Sequence, residues 1–190
     1  MSELDLALSP RHPLASPPGA GATATRVDDL GLQAVVRALL AEPAHPVAVL
    51  TGRDDSGISW GLTVTSFTVV SPRPPLVVVS VPAAARSWSR IRPTGGFVLN
   101  LLADDQPEAA AAYAGPGATV ARGHGVRYTI EGMPVLPGTL GALRCATTTV
   151  IRGGEHDVVL ARVEAGRHDR TDAPLAAHAL HAAPEPVGVR

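Results

Sequence analysis

Residues 61–81 constrain the fold of this chain more than any other stretch of the sequence. Small hydroxylated and β-branched residues fill 61–71, prolines then mark a corner, and an almost wholly apolar run closes the stretch. This pattern predicts two strands, at about 58–70 and 76–82, joined by a rigid turn. Because short hydroxyl side chains let a planar ligand approach the backbone and offer hydrogen-bond donors, the first strand is typical of a pocket wall.

The rest of the sequence predicts further short strands and brief helices. The additional strands are predicted at 47–51, 96–102, 143–151 and 156–165, and the helices at about 28–42, 84–92 and 106–114. Residues 152–155 are expected to form a hairpin-type turn, Asp104 to cap the last helix, and 115–142 shows no clear pattern. Strands at short spacing without regular βαβ alternation favour a closed antiparallel barrel.

Composition and charge exclude several classes of protein. The chain has 190 residues, enough for one domain with a real core, and a formal net charge of -1 gives no electrostatic case for nucleic acid or an anionic membrane. Aromatic residues make up only 3%, so the core must be aliphatic. The single cysteine, Cys145, lies in an apolar strand pattern and is expected to be an inert core thiol. No apolar run approaches the roughly 20 residues that span a bilayer, and no basic leader is evident, so we expect a cytoplasmic protein.

Both ends of the chain look different from its middle. Residues 1–26 are rich in proline, alanine, glycine and serine and are predicted to form a flexible arm. Residues 27–182 form the predicted folded domain, and 183–190 form a short C-terminal tail.

Several common site motifs are missing from the sequence. It contains no glycine-rich GxGxxG or GxxxxGK[ST] phosphate loop, and its one GxSxG match, residues 57–61, falls where a predicted turn enters a strand rather than at a strand-to-helix turn. It also lacks a HxxxH pair and paired cysteines, so we expect no metal site. These absences leave nucleotide-loop and hydrolase chemistry with little support.

An ordered set of segments resembles the flavin reductase-like family. The matching segments are 47–51, 61–71, 74–81, 86–91, 97–102, Gln106, 143–145, 154–163 and 174–175. The resemblance implies an all-β or α+β fold, an antiparallel split β-barrel of the FMN-binding, Greek-key type with short helices. It also implies a homodimer in which the partner helps to complete the flavin pocket.

The same resemblance implies an activity. It points to an NAD(P)H-dependent flavin reductase that supplies reduced FMN or FAD to a partner monooxygenase. Two alternatives stay open. One is a pathway-specific tailoring enzyme on the same fold with altered or lost flavin use, and the other is a non-catalytic flavin- or haem-binding accessory protein.

The resemblance also assigns roles to individual residues. The flavin-binding candidates are Thr63, Val64, Thr65, Ser66, Ser80, Arg86, Ser87 and Asn100, and the catalytic-site candidate is His156. Residues 63–66 are expected to lie against the flavin ring, with Arg86 and Ser87 near its phosphate. Asn100 would need a partner if buried, which either a flavin or neighbouring backbone would provide. His156 is expected to position the nicotinamide, because hydride transfer itself needs no protein acid.

Several residues depart from the family pattern, among them Ala84, Ala85 and Glu155. Ala84 and Ala85 stand where serine is frequent, which removes hydroxyl groups from the phosphate loop. Glu155 replaces the usual aspartate beside His156. These departures are expected to weaken phosphate binding or to reshape the nicotinamide side of the site.

Overall fold

The computed structural model describes residues 45–119 and 128–177, and these ranges hold nine strands and two α-helices. In chain order they are β1 (Ala48–Arg53), β2 (Ser59–Val64), β3 (Phe67–Pro72), β4 (Pro75–Pro82), α1 (Arg86–Ile91), β5 (Gly96–Leu101), α2 (Pro107–Ala114), β6 (Tyr128–Ile130), β7 (Met133–Val135), β8 (Gly141–Gly153) and β9 (His156–His168). One turn of 3₁₀ helix, Arg92–Thr94, follows α1. The predicted arm, the predicted helix at 28–42 and the C-terminal tail lie outside the described residues.

Seven strands form one antiparallel sheet in the order β2-β1-β5-β8-β9-β4-β3, and β6 and β7 form a separate hairpin. The two edge strands, β2 and β3, are consecutive in the chain and are joined only by Thr65 and Ser66. The sheet must therefore curl until its edges meet. Side chains from both ends of the sheet, such as Leu62 and Val79, accordingly pack in a single buried cluster. The fold is a split barrel, as the family resemblance implied.

The aliphatic core follows from strand alternation. Along β4, Val77, Val79 and Val81 are buried, whereas Val78 and Ser80 between them are only half-buried and face outward. The interior is thus filled largely by valine and leucine, as the low aromatic content predicted. None of the helices in the described ranges is long and apolar enough to cross a membrane.

A buried carboxylate fastens α1 to the β8–β9 hairpin. Asp157 is 2% exposed and accepts a hydrogen bond of 2.8 Å from the Trp88 indole N–H. The guanidinium groups of Arg92 and Arg152 lie 3.3 Å and 3.1 Å from its two oxygens, and both arginines are about half exposed. The buried charge is therefore paired on both oxygens, as a buried carboxylate requires.

Some element boundaries differ from the sequence prediction. The predicted strand at 58–70 is two strands, because the chain crosses from one edge of the sheet to the other at Thr65 and Ser66. The prediction that Asp104 caps α2 was wrong, since the residue at that position is Gln106 and no side chain caps the helix. Gln106 instead accepts from the Ala103 N–H at 3.1 Å and donates to the Pro137 carbonyl at 3.0 Å. The unassigned stretch contains β6 and β7.

The Asn100 side chain joins three separate parts of the chain. Its amide nitrogen donates 2.9 Å hydrogen bonds to the Val49 carbonyl and to Thr51 Oγ1. Its amide oxygen accepts from the Leu136 N–H at 3.0 Å. Thr51 in turn donates to the Pro134 carbonyl at 2.6 Å. This buried network holds the end of the β6–β7 hairpin against β1 and β5.

Replacing Asn100 with alanine is expected to destabilise the fold. The change leaves the Leu136 N–H without its partner in a dry interior, which costs roughly 2–4 kcal/mol of unfolding free energy together with the lost contacts. Urea denaturation followed by circular dichroism measures the loss. Arg53→Ala, at the exposed end of β1, is the control and should stay within about 0.5 kcal/mol of wild type. Equal stabilities for the two variants would contradict the role of this network.

The Cys145 thiol is predicted to be unreactive in the folded protein. It is fully buried in the main core cluster, and burial raises its pKa to about 12, so the reactive thiolate is scarce at mildly alkaline pH. Reaction with a chromogenic disulfide reagent should be at least about a hundredfold slower in the native state than in denaturant. Equal rates in the two states would show that the thiol is accessible.

Candidate functional site

Two cavities lie next to each other where the barrel is split. The first, the Arg86 cavity, has a volume of about 320 Å³ and is lined by Leu62, Thr63, Pro82, Ala84, Ala85, Arg86, Ser87, Tyr113, Ala114, Gly115, Pro116 and Gly117. The second, the Ser66 cavity, has a volume of about 610 Å³ and is lined by His45, Pro46, Thr65, Ser66, Phe67, Thr68, Val78, Ser80 and Val158. Thr63 and Thr65, only two residues apart, line different cavities, so the β2–β3 connection separates the two.

Arg86 provides the positive charge of the first cavity. It is the first residue of α1 and is exposed. Within residues 45–119 and 128–177 its guanidinium has neither a hydrogen-bond nor an ion-pair partner. Ser87 beside it is buried, and its hydroxyl donates a long 3.4 Å hydrogen bond to the Ala118 carbonyl. Arg86 is therefore the stronger of the two predicted phosphate-binding groups.

The four predicted ring-binding residues at 63–66 are not equivalent. The Thr63 hydroxyl donates a 2.6 Å hydrogen bond to the Ala110 carbonyl and so fastens α2 to β2. Val64 is 4% exposed and packs in the core. Thr65 is half-buried and Ser66 is exposed, and both line the Ser66 cavity. Only these last two present side-chain hydroxyl groups to that cavity from the connection.

Ser80 completes the polar part of the Ser66 cavity. Its side chain faces outward from β4, and its backbone N–H donates to the Ser66 carbonyl at 2.8 Å. This hydrogen bond holds the β2–β3 connection against β4. The cavity consequently lies on the outer face of the barrel, where hydroxyl groups and the apolar side chains of Val78 and Val158 line it together.

His156 lines neither cavity, but it is next to residues that line each of them. It is exposed, begins β9 and pairs with Pro82, which lines the Arg86 cavity. Val158, two residues further along the same strand face, lines the Ser66 cavity. The preceding turn is held in place because the Ala83 N–H donates to the Glu155 carbonyl at 2.9 Å. The structure thus brings His156, Arg86 and Ser66 to one end of the sheet.

Asn100 does not belong to this group. It is fully buried, and protein groups satisfy both its amide nitrogen and its amide oxygen. The sequence allowed either a flavin or neighbouring backbone as the partner of Asn100, and in the structure its partners are protein groups. We therefore remove Asn100 from the candidate site.

Sequence reasoning missed the segment Tyr113–Gly117, which closes the Arg86 cavity. The only signal was the Gly115-Pro116-Gly117 turn composition in a stretch without a clear pattern. In the part of the chain that the structure describes, no three histidine, cysteine, aspartate or glutamate side chains are grouped closely enough to hold a metal ion. The chemistry available is that of a cation, several hydroxyl groups and an imidazole around an open groove. Such a donor set suits a planar ligand with an anionic tail.

Comparison with known proteins agrees with this geometry. The family described as "Flavin reductase like domain" matches residues 40–183. The NADH:riboflavin 5'-phosphate oxidoreductase of Streptomyces pristinaespiralis is 36% identical over 141 residues, which cover 73% of this chain and 80% of that protein. The reductase subunit HsaB of a flavin-dependent monooxygenase from Rhodococcus jostii is 31% identical and covers 73% of this chain and 71% of its own.

A solved structure extends the similarity to the fold. The NADH:FAD oxidoreductase SgcE6 of Streptomyces globisporus C-1027, in complex with NAD and FAD fragments, superposes with a TM-score of 0.67 at 26% identity. The match covers 76% of this chain and 87% of that one. With a family match over most of its length and a relative above one-third identity, this chain belongs to the flavin reductase-like family.

Proposed function

We propose that this protein is an NAD(P)H-dependent flavin reductase that reduces FMN or FAD and passes the reduced flavin to a partner monooxygenase. The observation that carries the proposal is the arrangement at the barrel split. The Arg86 guanidinium, which has no partner within the described residues, lies at the same end of the sheet as the hydroxyl-lined Ser66 cavity and the exposed His156 imidazole. The family relatives named as NADH-dependent reductases and as a monooxygenase reductase subunit support the same activity.

The residues at the two cavities fit the parts of a flavin. Arg86 would bind the phosphate through charge-assisted hydrogen bonds, and no hydroxyl group assists it from Ala84 or Ala85. Thr65, Ser66 and Ser80 would hold the polar edge of the ring through hydroxyl and backbone groups. The bound flavin supplies the redox chemistry by accepting a hydride from the nicotinamide. Thr63 and Val64 would support the cavity wall without binding the ring. The Thr63 hydroxyl already binds the Ala110 carbonyl, and the Val64 side chain is in the core.

His156 would orient the dinucleotide rather than move a proton. Its side chain is exposed at the edge of the outer face, next to the groove that the ring would occupy. An imidazole in that place can stack on or hydrogen-bond to the nicotinamide and keep water from the reacting face. Its contribution should therefore appear in the apparent affinity for NAD(P)H.

We further infer that the protein is a homodimer formed through the outer face of β4, β8 and β9. The half-buried side chains of Val78, Val158 and Leu160 continue from the Ser66 cavity across this face. Ile151, which pairs with Val158, is 61% exposed on it. A second copy would cover these apolar groups and close the open side of the cavity.

The activity can be tested with purified protein. Apo-protein is titrated with FMN and with FAD, and the complex is mixed anaerobically with NADH or NADPH while flavin absorbance is followed. Bleaching of the flavin absorbance is expected. Stoichiometric flavin retention without NAD(P)H oxidation would instead favour the accessory-protein alternative. Turnover of an organic substrate without NAD(P)H would favour the tailoring-enzyme alternative.

His156→Ala is predicted to raise the KM for NADH by roughly tenfold, while the Kd for flavin changes by less than about twofold. His168→Ala is a matched control, because it removes an exposed histidine from the opposite end of the same strand. Steady-state kinetics with saturating flavin gives both KM values. The positioning role is wrong if the two variants behave alike.

Ile151→Arg is predicted to convert the dimer to a monomer and to weaken flavin binding. A charge in the centre of an apolar interface must be desolvated without a partner, which is costly. Light scattering coupled to gel filtration measures the mass of each form. Ile58→Arg, which alters another exposed isoleucine at 48% exposure in a loop away from this face, should remain dimeric. A monomeric wild-type protein would refute the proposed dimer.

A further inference from the structure

The Arg86 side chain lies directly across a glycine. A Cβ atom built on Gly117 would be 2.9 Å from Arg86 Cδ and 3.6 Å from its Nε, and the former is closer than real Cβ contacts allow. Gly117 also has a φ of +68°, which glycine adopts without strain. The methylene groups of Arg86 therefore occupy the space that any other residue at 117 would fill.

The backbone next to this glycine is fixed on two sides. The Ala118 carbonyl accepts from the Gly61 N–H at 3.0 Å and from the Ser87 hydroxyl at 3.4 Å. Thr119 then forms a bridge with Trp60 at the edge of β2. Because the loop is held to β2 and α1, a side chain at position 117 would displace the flexible arginine rather than the backbone.

We propose that Gly117 is a positioning residue that sets the phosphate affinity of the site by letting Arg86 rest across the loop. This inference rests on the proposed function, in which Arg86 binds the flavin phosphate. Within the described residues no ion pair or hydrogen bond orients the guanidinium. Packing against Gly117 is thus the restraint that keeps this long side chain beside its cavity, and pre-ordering it reduces the entropy lost on binding.

The proposal predicts a selective loss of phosphate recognition. Riboflavin carries the ring and ribityl chain of FMN without the phosphate, so comparing the Kd values of FMN and riboflavin isolates the Arg86 contribution. Arg86→Ala is expected to weaken FMN binding roughly 10- to 100-fold and riboflavin binding by less than about twofold. Gly117→Ala is expected to weaken FMN binding at least about fivefold, again with little effect on riboflavin.

Two further variants separate displacement of Arg86 from backbone strain. Gly117→Asn adds a Cβ, but asparagine tolerates the left-handed conformation. This variant is therefore expected to weaken FMN binding without weakening riboflavin binding, even if the alanine variant folds poorly. Gly57→Ala introduces similar strain at a φ of +83° with no atom within 4 Å, and it should bind both ligands as wild type does. Thermal unfolding of each variant is recorded alongside the flavin fluorescence titrations.

The double variant Arg86→Ala/Gly117→Ala decides between the outcomes. If Gly117 acts through Arg86, the double variant binds FMN no more weakly than Arg86→Ala alone. Additive losses, or an equal loss for riboflavin, would overturn the inference. If Arg86→Ala lowers FMN affinity but neither Gly117 variant does, the inference fails and the proposed function stands. If Arg86→Ala itself has no effect on FMN binding, the assignment of Arg86 to the phosphate is what fails.

Discussion

The two-residue connection between β2 and β3 governs the architecture of this protein. Because Thr65 and Ser66 span the distance between the two edges of a seven-stranded sheet, the sheet has to curl around one aliphatic interior. The connection itself cannot join either ladder, and Ser66 instead accepts a single hydrogen bond from Ser80. The cavities consequently lie on either side of the β2–β3 connection, where strand pairing is interrupted. The candidate site is thus a by-product of closing the barrel with so short a link.

The second determinant is the Asp157 carboxylate. It follows His156 in the chain and binds Trp88 of α1, the helix that begins with Arg86. The same buried group therefore fixes the helix that presents the guanidinium and the strand that presents the imidazole. Two half-exposed arginines, Arg92 and Arg152, neutralise its charge, and this pairing lets the ionised carboxylate remain buried. Distances across the site depend on this anchor although it touches neither cavity.

Strand alternation made most of the sheet predictable, and tertiary contacts account for what was missed. The predicted strands at 47–51 and 96–102 agree with β1 and β5 within two residues at each end. The alternation changes phase at Thr65 and Ser66, where two polar residues follow each other, and a single strand was nevertheless predicted across 58–70. Side-chain roles were harder to predict, because Thr63 binds a carbonyl 47 residues away and Asn100 binds backbone groups of Val49 and Leu136, 51 and 36 residues away. Arg86 and His156 were found through family motifs rather than through periodicity.

The alternation along β4 has a consequence for how such a protein can change. Val77, Val79 and Val81 build the interior, while Val78 and Ser80 on the same strand line the ligand groove. Side chains on the inner face of β4 therefore stabilise the core, whereas those on its outer face are not part of the core. Mutations can accumulate on the groove side, and at Val158 beside it, without opening a hole in the core. Selection for stability and selection for ligand binding therefore act on alternate residues of the same strand. Barrels of this kind can acquire new ligands without losing their core.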